Sequence, residues 1–445
     1  MKGIDSFNKK FIGIALPVAL QSLLQSSFSV VDQIMVGQLG EASIAGIGLA
    51  GRFSSLYSVL LSAIAAVAGI MLAQYIGKND KSEIGRSFYL NLIMSVGLAI
   101  IFTVICECLP RQIMGMYTPD ISTRECASVY LMIVAAGYIL RAGSLLISTL
   151  LRCMEYAKIP LYATIFNAAF DTLLSYILIF GKWGFPKMDV AGAAVATVVA
   201  QILEFLIILI LFLRHYKKEK WHLPFTISMN KEKWKIFGGI IAPILICEFL
   251  WSLGENVYAS IYGHIGIESC AAMTLIGPMV TLFMGLMGGI TQASGILSGK
   301  SLGAKQYEQA YSNAKKMMWY GVVGSLALSI LLIVLGKYYV GIFQVSKSVR
   351  DIAYHLVIVF VIIAPIKVQN MILGGGIIRS GGKTKYVMII DLIGTWGLGV
   401  PTGLITAFVF NLPIVTVYFL LSLEEVVRLL ISIHIFRKKK WMMNI

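Results

Sequence analysis

The sequence predicts an all-α integral membrane protein, with twelve transmembrane helices in two six-helix lobes related by a pseudo-two-fold axis along the membrane normal. Three observations carry this reading. Only 13% of the 445 residues are charged while 58% are hydrophobic, and the mean hydropathy is +0.82; soluble domains hold about 25% charged residues. The apolar residues run in continuous blocks and do not alternate, which fits spanning helices and excludes a closed barrel. The first half of the chain also recurs in the second.

The twelve blocks fall at approximately 11–39, 44–76, 87–109, 125–151, 159–181, 190–213, 236–263, 269–299, 314–337, 351–378, 385–409 and 413–436. The first follows MKGIDSFNKK. It lacks a short apolar core with a small-residue cleavage site, so it reads as a span and not a signal peptide. Several blocks exceed the ~20 residues a crossing needs, which leaves room for tilt. Pro17, Pro243, Pro365 and Pro401 fall in or near block interiors, where each frees a carbonyl and permits a bend. The polar stretch 214–235 follows the sixth block. It divides the chain into an N-terminal lobe (1–213), a linker (214–235) and a C-terminal lobe (236–445).

Lys and Arg set the orientation. With the N-terminus cytoplasmic, inner loops hold 26 of the 37 basic residues and outer loops 7; Arg52, Arg141, Lys367 and Arg428 lie within spans. Both termini are then cytoplasmic, in a multi-pass protein of the cell membrane whose surroundings are the lipid bilayer. This one-sided distribution explains the net charge of +15 without a nucleic-acid partner.

A shift of 226 residues places Pro17 on Pro243 and keeps register to Gly77 on Gly303. Identities on the way include Gly13/Gly239, Gly37/Gly263, Gly40/Gly266, Gly51/Gly277 and Gly69/Gly295, and the same offset carries Arg141 onto Lys367. Six spans per half give both halves the same orientation. That relation is one of the two repeat types of secondary transporters.

Ionisable groups in hydrocarbon cost at least about 2.5–3.5 kcal/mol each, so they are candidates for function. Acids in or near the spans are Asp32, Asp171, Glu204, Glu248, Glu255, Asp391, Glu424 and Glu425, against the four bases above. Asn167 lies four residues before Asp171 and shares its face. Thr197 on the sixth span reaches a similar depth. Two carboxylates, an amide and a hydroxyl form an all-oxygen set suited to Na⁺; the two acids could equally share a proton. The alternatives are an interfacial position for Asp32 and an ion pair between Asp171 and Arg141. Glu248 and Glu255, two turns apart on the seventh span, read as a second cation or substrate acid or as partners of Lys367. Asp391 is expected to pair with Lys383 or Lys385, Glu424 with Arg428 at i,i+4, and His264 to sit in the interface.

Enzymatic signatures are absent: there is no GxSxG, HExxH or Walker A loop, and GGGIIRSGG (374–382) has no preceding strand to make it a phosphate cradle. Six cysteines without CxxC spacing suggest neither zinc nor redox chemistry.

Pro17 through VDQIMVGQLG (31–40), YIGKND (75–80) and its copy SLGAKQ (301–306), NAAFDTLLSYILIFG (167–181), VAGAAVAT (190–197), RSGGKTK (379–385) and VPTG (400–403) resemble the MATE (multidrug and toxic compound extrusion) family. The resemblance spans essentially the whole chain. It implies two six-helix bundles forming a V around a cleft. The implied activity is export of amphipathic, usually cationic, small molecules in exchange for H⁺ or Na⁺, by a monomer with no cofactor beyond the coupling ion. Asp32, Asn167, Asp171 and Thr197 match the cation-coupling positions of the DinF-like branch. The NorM-like branch uses a seventh-span Glu and a tenth-span Asp. Here the first falls on Trp251 and the second region reads IKVQN (366–370), which places the chain closer to the DinF-like branch. The alternative within the superfamily is a flippase for an anionic lipid-linked precursor, for which only Arg52, Arg141 and Lys367 could line a basic cleft.

Overall fold

The computed structural model describes residues 2–218, 223–225, 231–343 and 345–444, and these contain no strand. All twelve apolar blocks are helical. The first three are α1 (Lys2–Val36), α2 (Glu41–Lys78) and α3 (Lys81–Cys108), followed by a short α4 (Pro110–Gly115). The fourth block breaks into α5 (Ile121–Ala135) and α6 (Tyr138–Cys153), bent by 48°. Then come α7 (Lys158–Phe180), α8 (Asp189–Lys218), α9 (Lys231–Ile265), α10 (Ile267–Gly303), α11 (Tyr307–Gly341) and α12 (Lys347–Asn370). Block ten continues as a π-helical stretch, Met371–Ile378. Block eleven is α13 (Thr384–Asp391), a π stretch Leu392–Gly399, α14 (Val400–Leu404) and a third π stretch Ile405–Val409. The last block divides at Leu423 into α15 (Ile414–Ser422) and α16 (Glu424–Arg437). Of the linker expected over 214–235, residues 219–222 and 226–230 lie outside the described residues; α8 runs on to Lys218 and α9 begins at Lys231, so both helices reach into it.

Helix ends follow local chemistry. Asp80 caps α3 by accepting from the Glu83 amide, and Asp120 and Ser346 cap α5 and α12 in the same way. Gly181 ends α7 in the left-handed region at φ 64°, which a glycine adopts without strain.

The repeat is written into the backbone. Asn79 and Lys305, counterparts under the 226-residue shift, turn at φ 58° and 59°, and the paired Gly40 and Gly266 both have positive φ. A Cβ at Gly77 would strike the Lys300 carbonyl, and one at Gly303 would strike the Gln74 carbonyl. These contacts are reciprocal, because Gln74 is the counterpart of Lys300 and Gly77 of Gly303. Ala73 and its own counterpart Gly299 also meet: a Cβ on the glycine would lie 2.8 Å from the alanine methyl. Reciprocal pairs and a self-paired position are what a two-fold axis between the ends of α2 and α10 requires.

The chain forms two compact units. One, here the N-unit, comprises Leu20–Leu72 and Asp80–Ser228; the other, the C-unit, comprises Met1–Ala19, Ala73–Asn79 and Met229–Ile445. They differ from a division at 213 and 236 in two short segments of the first half. The cause is close backbone contact: the end of α2 packs on α10 through Gly77 and Gly303, and the start of α1 packs where Gly289 abuts the Ala15 carbonyl.

Replacing Gly303 with Val should destabilise the protein by roughly 1–3 kcal/mol, since its side chain meets a backbone carbonyl that cannot rotate away. Gly48→Ala, in open space, should cost nothing. Thermal unfolding of the two variants in detergent checks the difference.

Candidate functional site

Four helices of the N-unit supply one polar site. α1 brings Asp32, α5 Tyr130, α7 Asn167 and Asp171, and α8 Thr197. The α7–α8 pair sets its geometry. After the Gly181 turn, Gly192 lies so close to α7 that a Cβ there would come within 2.7 Å of the Leu178 backbone. This tight antiparallel pairing brings Thr197 opposite Asp171, close enough for its hydroxyl to act on the carboxylate. Asp32 is near enough for its charge to act on Asp171, and both act on the Tyr130 phenol. The apolar floor is Met35, Ile179 and Ala193, with Tyr130 packed against them.

Three oxygens here are buried without a hydrogen-bond partner: Oδ1 of Asp32, of Asn167 and of Asp171. Gln201, one turn beyond Thr197, leaves Oε1 in the same condition. It sits over Gly137, where the α5–α6 break leaves no side chain in its way. A buried acceptor left unmade costs about 1–3 kcal/mol. Acceptor oxygens gathered without donors can be satisfied by a small hard cation or a proton.

Arg141 makes no ion pair with Asp171 among the described residues; its charge acts instead on Glu204, Tyr57 and Tyr138. Glu204 ends a chain of hydrogen bonds that crosses the N-unit. Arg152 donates to Gln21 (2.7 Å), Gln21 Nε2 to Thr164 Oγ1 (2.8 Å), and Thr164 to Glu204 (3.2 Å). Tyr130 was not expected beside the carboxylates. Its partners come from α1 and α7, and no spacing along α5 encodes that encounter.

The acids of the C-unit are placed differently from the sequence expectation. Asp391 pairs with Arg428, not with Lys383 or Lys385. Arg428 also reaches Glu425 at 3.5 Å, three residues before it and not four, so Glu424 is not its ion-pair partner. Glu424 instead accepts from the Tyr258 hydroxyl at 3.0 Å. Lys367 pairs with Glu425 at 3.7 Å, and Glu248 pairs with Arg379 at 3.2 Å, so neither meets the other. Glu255 is exposed, and its charge acts on Lys367, Tyr258 and Tyr418. Cys247 completes the network by donating to Asp391 at 2.6 Å.

A helical membrane bundle built on an internal repeat, with unpartnered carboxylates inside one unit, defines a polytopic transporter and not an enzyme. The chain belongs to the MatE family, whose model matches residues 17–177 and 243–422. Over 437 residues it is 24% identical to "Uncharacterized transporter YisQ" of Bacillus subtilis (strain 168), covering 96% of this chain and 93% of that protein. It is 22% identical over 448 residues to "Probable multidrug resistance protein NorM" of Thermotoga maritima, covering 98% and 94%. The fold matches a MATE protein crystallised in complex with MaL6 at TM-score 0.87 and 17% identity, covering 98% of this chain and 97% of that one. It also matches a MOP superfamily transporter from Pyrococcus furiosus Vc1 (DSM3638) at TM-score 0.85 and 18% identity, covering 98% and 96%.

Arg428→Met should destabilise the protein by about 3–5 kcal/mol, because it leaves Asp391 without a base inside the helical bundle while Glu425 keeps Lys367. Lys383→Ala should be close to neutral. Chemical unfolding in detergent separates the two; equal effects would contradict the placement of Asp391.

Proposed function

We propose that the protein is a secondary antiporter of the cell membrane that exports amphipathic, cationic small molecules in exchange for inward H⁺ or Na⁺. In this reading it works as a monomer with cytoplasmic termini and two six-helix lobes. Asp32 and Asp171 hold the coupling cation, and Asn167 and Thr197 complete the set, as in the DinF-like branch. The observation that carries the proposal is the trio of buried oxygens without donors, on Asp32, Asn167 and Asp171.

The chemistry is charge neutralisation. Two carboxylates within each other's field, in a partly buried site, repel each other and favour uptake of one positive ion. Thr197 lies beside Asp171, and the free oxygens of Asp32, Asn167 and Asp171 are open to the cation. Occupancy then stabilises one conformation of the transporter over the other by its differential affinity for the two. An ion gradient turns that preference into directed export.

Glu255 is an acid open to a positively charged substrate, whereas Glu248 is engaged by Arg379. The flippase alternative needs Lys367 available in a basic cleft, but Glu425 neutralises it.

Ethidium export in proteoliposomes, with pH and Na⁺ gradients imposed separately, tests the proposal. Either gradient should drive transport in the native protein. Asp32→Asn and Asp171→Asn should each abolish it while leaving the protein folded, and undiminished transport by either variant removes that residue from the coupling site.

A further inference from the structure

Two carboxylates of the C-unit are buried, Glu424 and Glu425, and among the described residues only Glu425 has an ion pair. Asp391, Glu425, Arg428 and Lys367 form a quartet of two acids and two bases, linked in the order Asp391–Arg428–Glu425–Lys367. Asn370 tightens it by donating to Glu425 at 2.7 Å. Arg379 and Glu248 form a neutral pair that Cys247 links to Asp391 of the quartet. Glu424 belongs to neither. It is 8% exposed, and its bonded partner is the hydroxyl of Tyr258, itself 6% exposed.

Charged and titratable groups surround Glu424 from α9, α12 and α16, and Tyr418 of α15 adjoins Tyr262 and Lys367. α12 presents Lys367 and α16 presents Glu425 and Arg428, all already engaged in the quartet. α9 presents Tyr258 and Tyr262, with Glu255 acting on both phenols. The π stretch Leu392–Gly399 approaches the pair at Gly399. A Cβ at Gly399 would strike both the Tyr258 hydroxyl and the Glu424 carboxylate, and one at Gly394 would strike Arg428. The two glycines thus leave room for the pair on one side and the quartet on the other, in a helical form that recurs at functional positions.

A buried carboxylate beside a quartet that is already neutral needs one positive charge of its own. The Tyr258 hydroxyl and the Gly399 backbone lie against it, and among the described residues no cluster of three or more His, Cys, Asp or Glu side chains could hold a metal ion. We infer that Glu424 and Tyr258 form a second proton-binding site, independent of the N-unit carboxylates, that takes up and releases one H⁺ per chain. The transfer balances: the Tyr258 hydroxyl passes its proton to Glu424 Oε2 and takes one from the carboxylic acid of exposed Glu255, which solvent reprotonates. The repeat adds a second argument. The 226-residue shift places Asp32 on Tyr258, and α16 continues the last span of its half as α8 does with Thr197. The two proton-handling positions are therefore counterparts in the duplicated scaffold, with the acid moved from the first span of the half to the last.

Infrared titration of the carboxylic-acid carbonyl band tests this on the full chain in liposomes. The background is Asp32→Asn/Asp171→Asn, so failure of the coupling site cannot be mistaken for failure here. Adding Glu424→Gln should reduce the band lost on raising pH by one group per chain; an unchanged amplitude overturns the inference. If that triple variant does not fold, Tyr258→Phe in the same background should keep the amplitude and displace the midpoint. An unmoved midpoint overturns the inference equally.

Discussion

Apolar spans cannot leave acceptor oxygens dry, and this constraint organises the molecule. The backbone meets it by closing its hydrogen bonds within helices. The side chains meet it in two ways. In the C-unit, acids find bases and close a neutral quartet. In the N-unit, Asp32, Asn167 and Asp171 keep oxygens with no donor in reach. These are carboxylate and amide oxygens on neighbouring helices of one unit, open to something small and positive.

Duplication built the frame, and divergence distributed the chemistry. The same turns occur at Asn79 and Lys305 and the same close approaches at Gly77 and Gly303, so the two halves share their backbone plan. Their polar residues do not match: Asp32, Asn167, Asp171 and Thr197 correspond to Tyr258, Ile393, Gly397 and Leu423. One half thus carries paired carboxylates, while the other carries a phenol and a network of ion pairs in equivalent surroundings. Close glycine contacts hold the ends of α2 and α10 together while leaving each half free to specialise.

Much of this was legible in the sequence. Continuous apolar blocks fixed the spans, because hydrocarbon thickness demands a minimum length and the blocks supply it. The i,i+4 spacing of Asn167 and Asp171 put both on one face, and depth counting brought Thr197 to their level. What the sequence did not reveal depends on which helices become neighbours. Tyr130 meets the carboxylates because α5 packs near α7 and α8, and nothing local to α5 announces it. Arg428 reaches Asp391 and Glu425 and not Glu424 because Gly394 leaves room for its side chain beside α13, a contact between helices that spacing within α16 does not encode. The π stretches that carry these glycines have no signature beyond an abundance of small residues.

The most direct measurement is the unfolding temperature of the purified protein as Na⁺ is titrated at fixed pH, and as pH is lowered without Na⁺. A ligand that binds only the folded state stabilises it by about 2.7 kcal/mol at a hundredfold excess over Kd. The expected result is a rise with at least one of the two ions that disappears when Asp32 and Asp171 are both made Asn. An identical response from the native protein and that variant would contradict a cation held by these carboxylates.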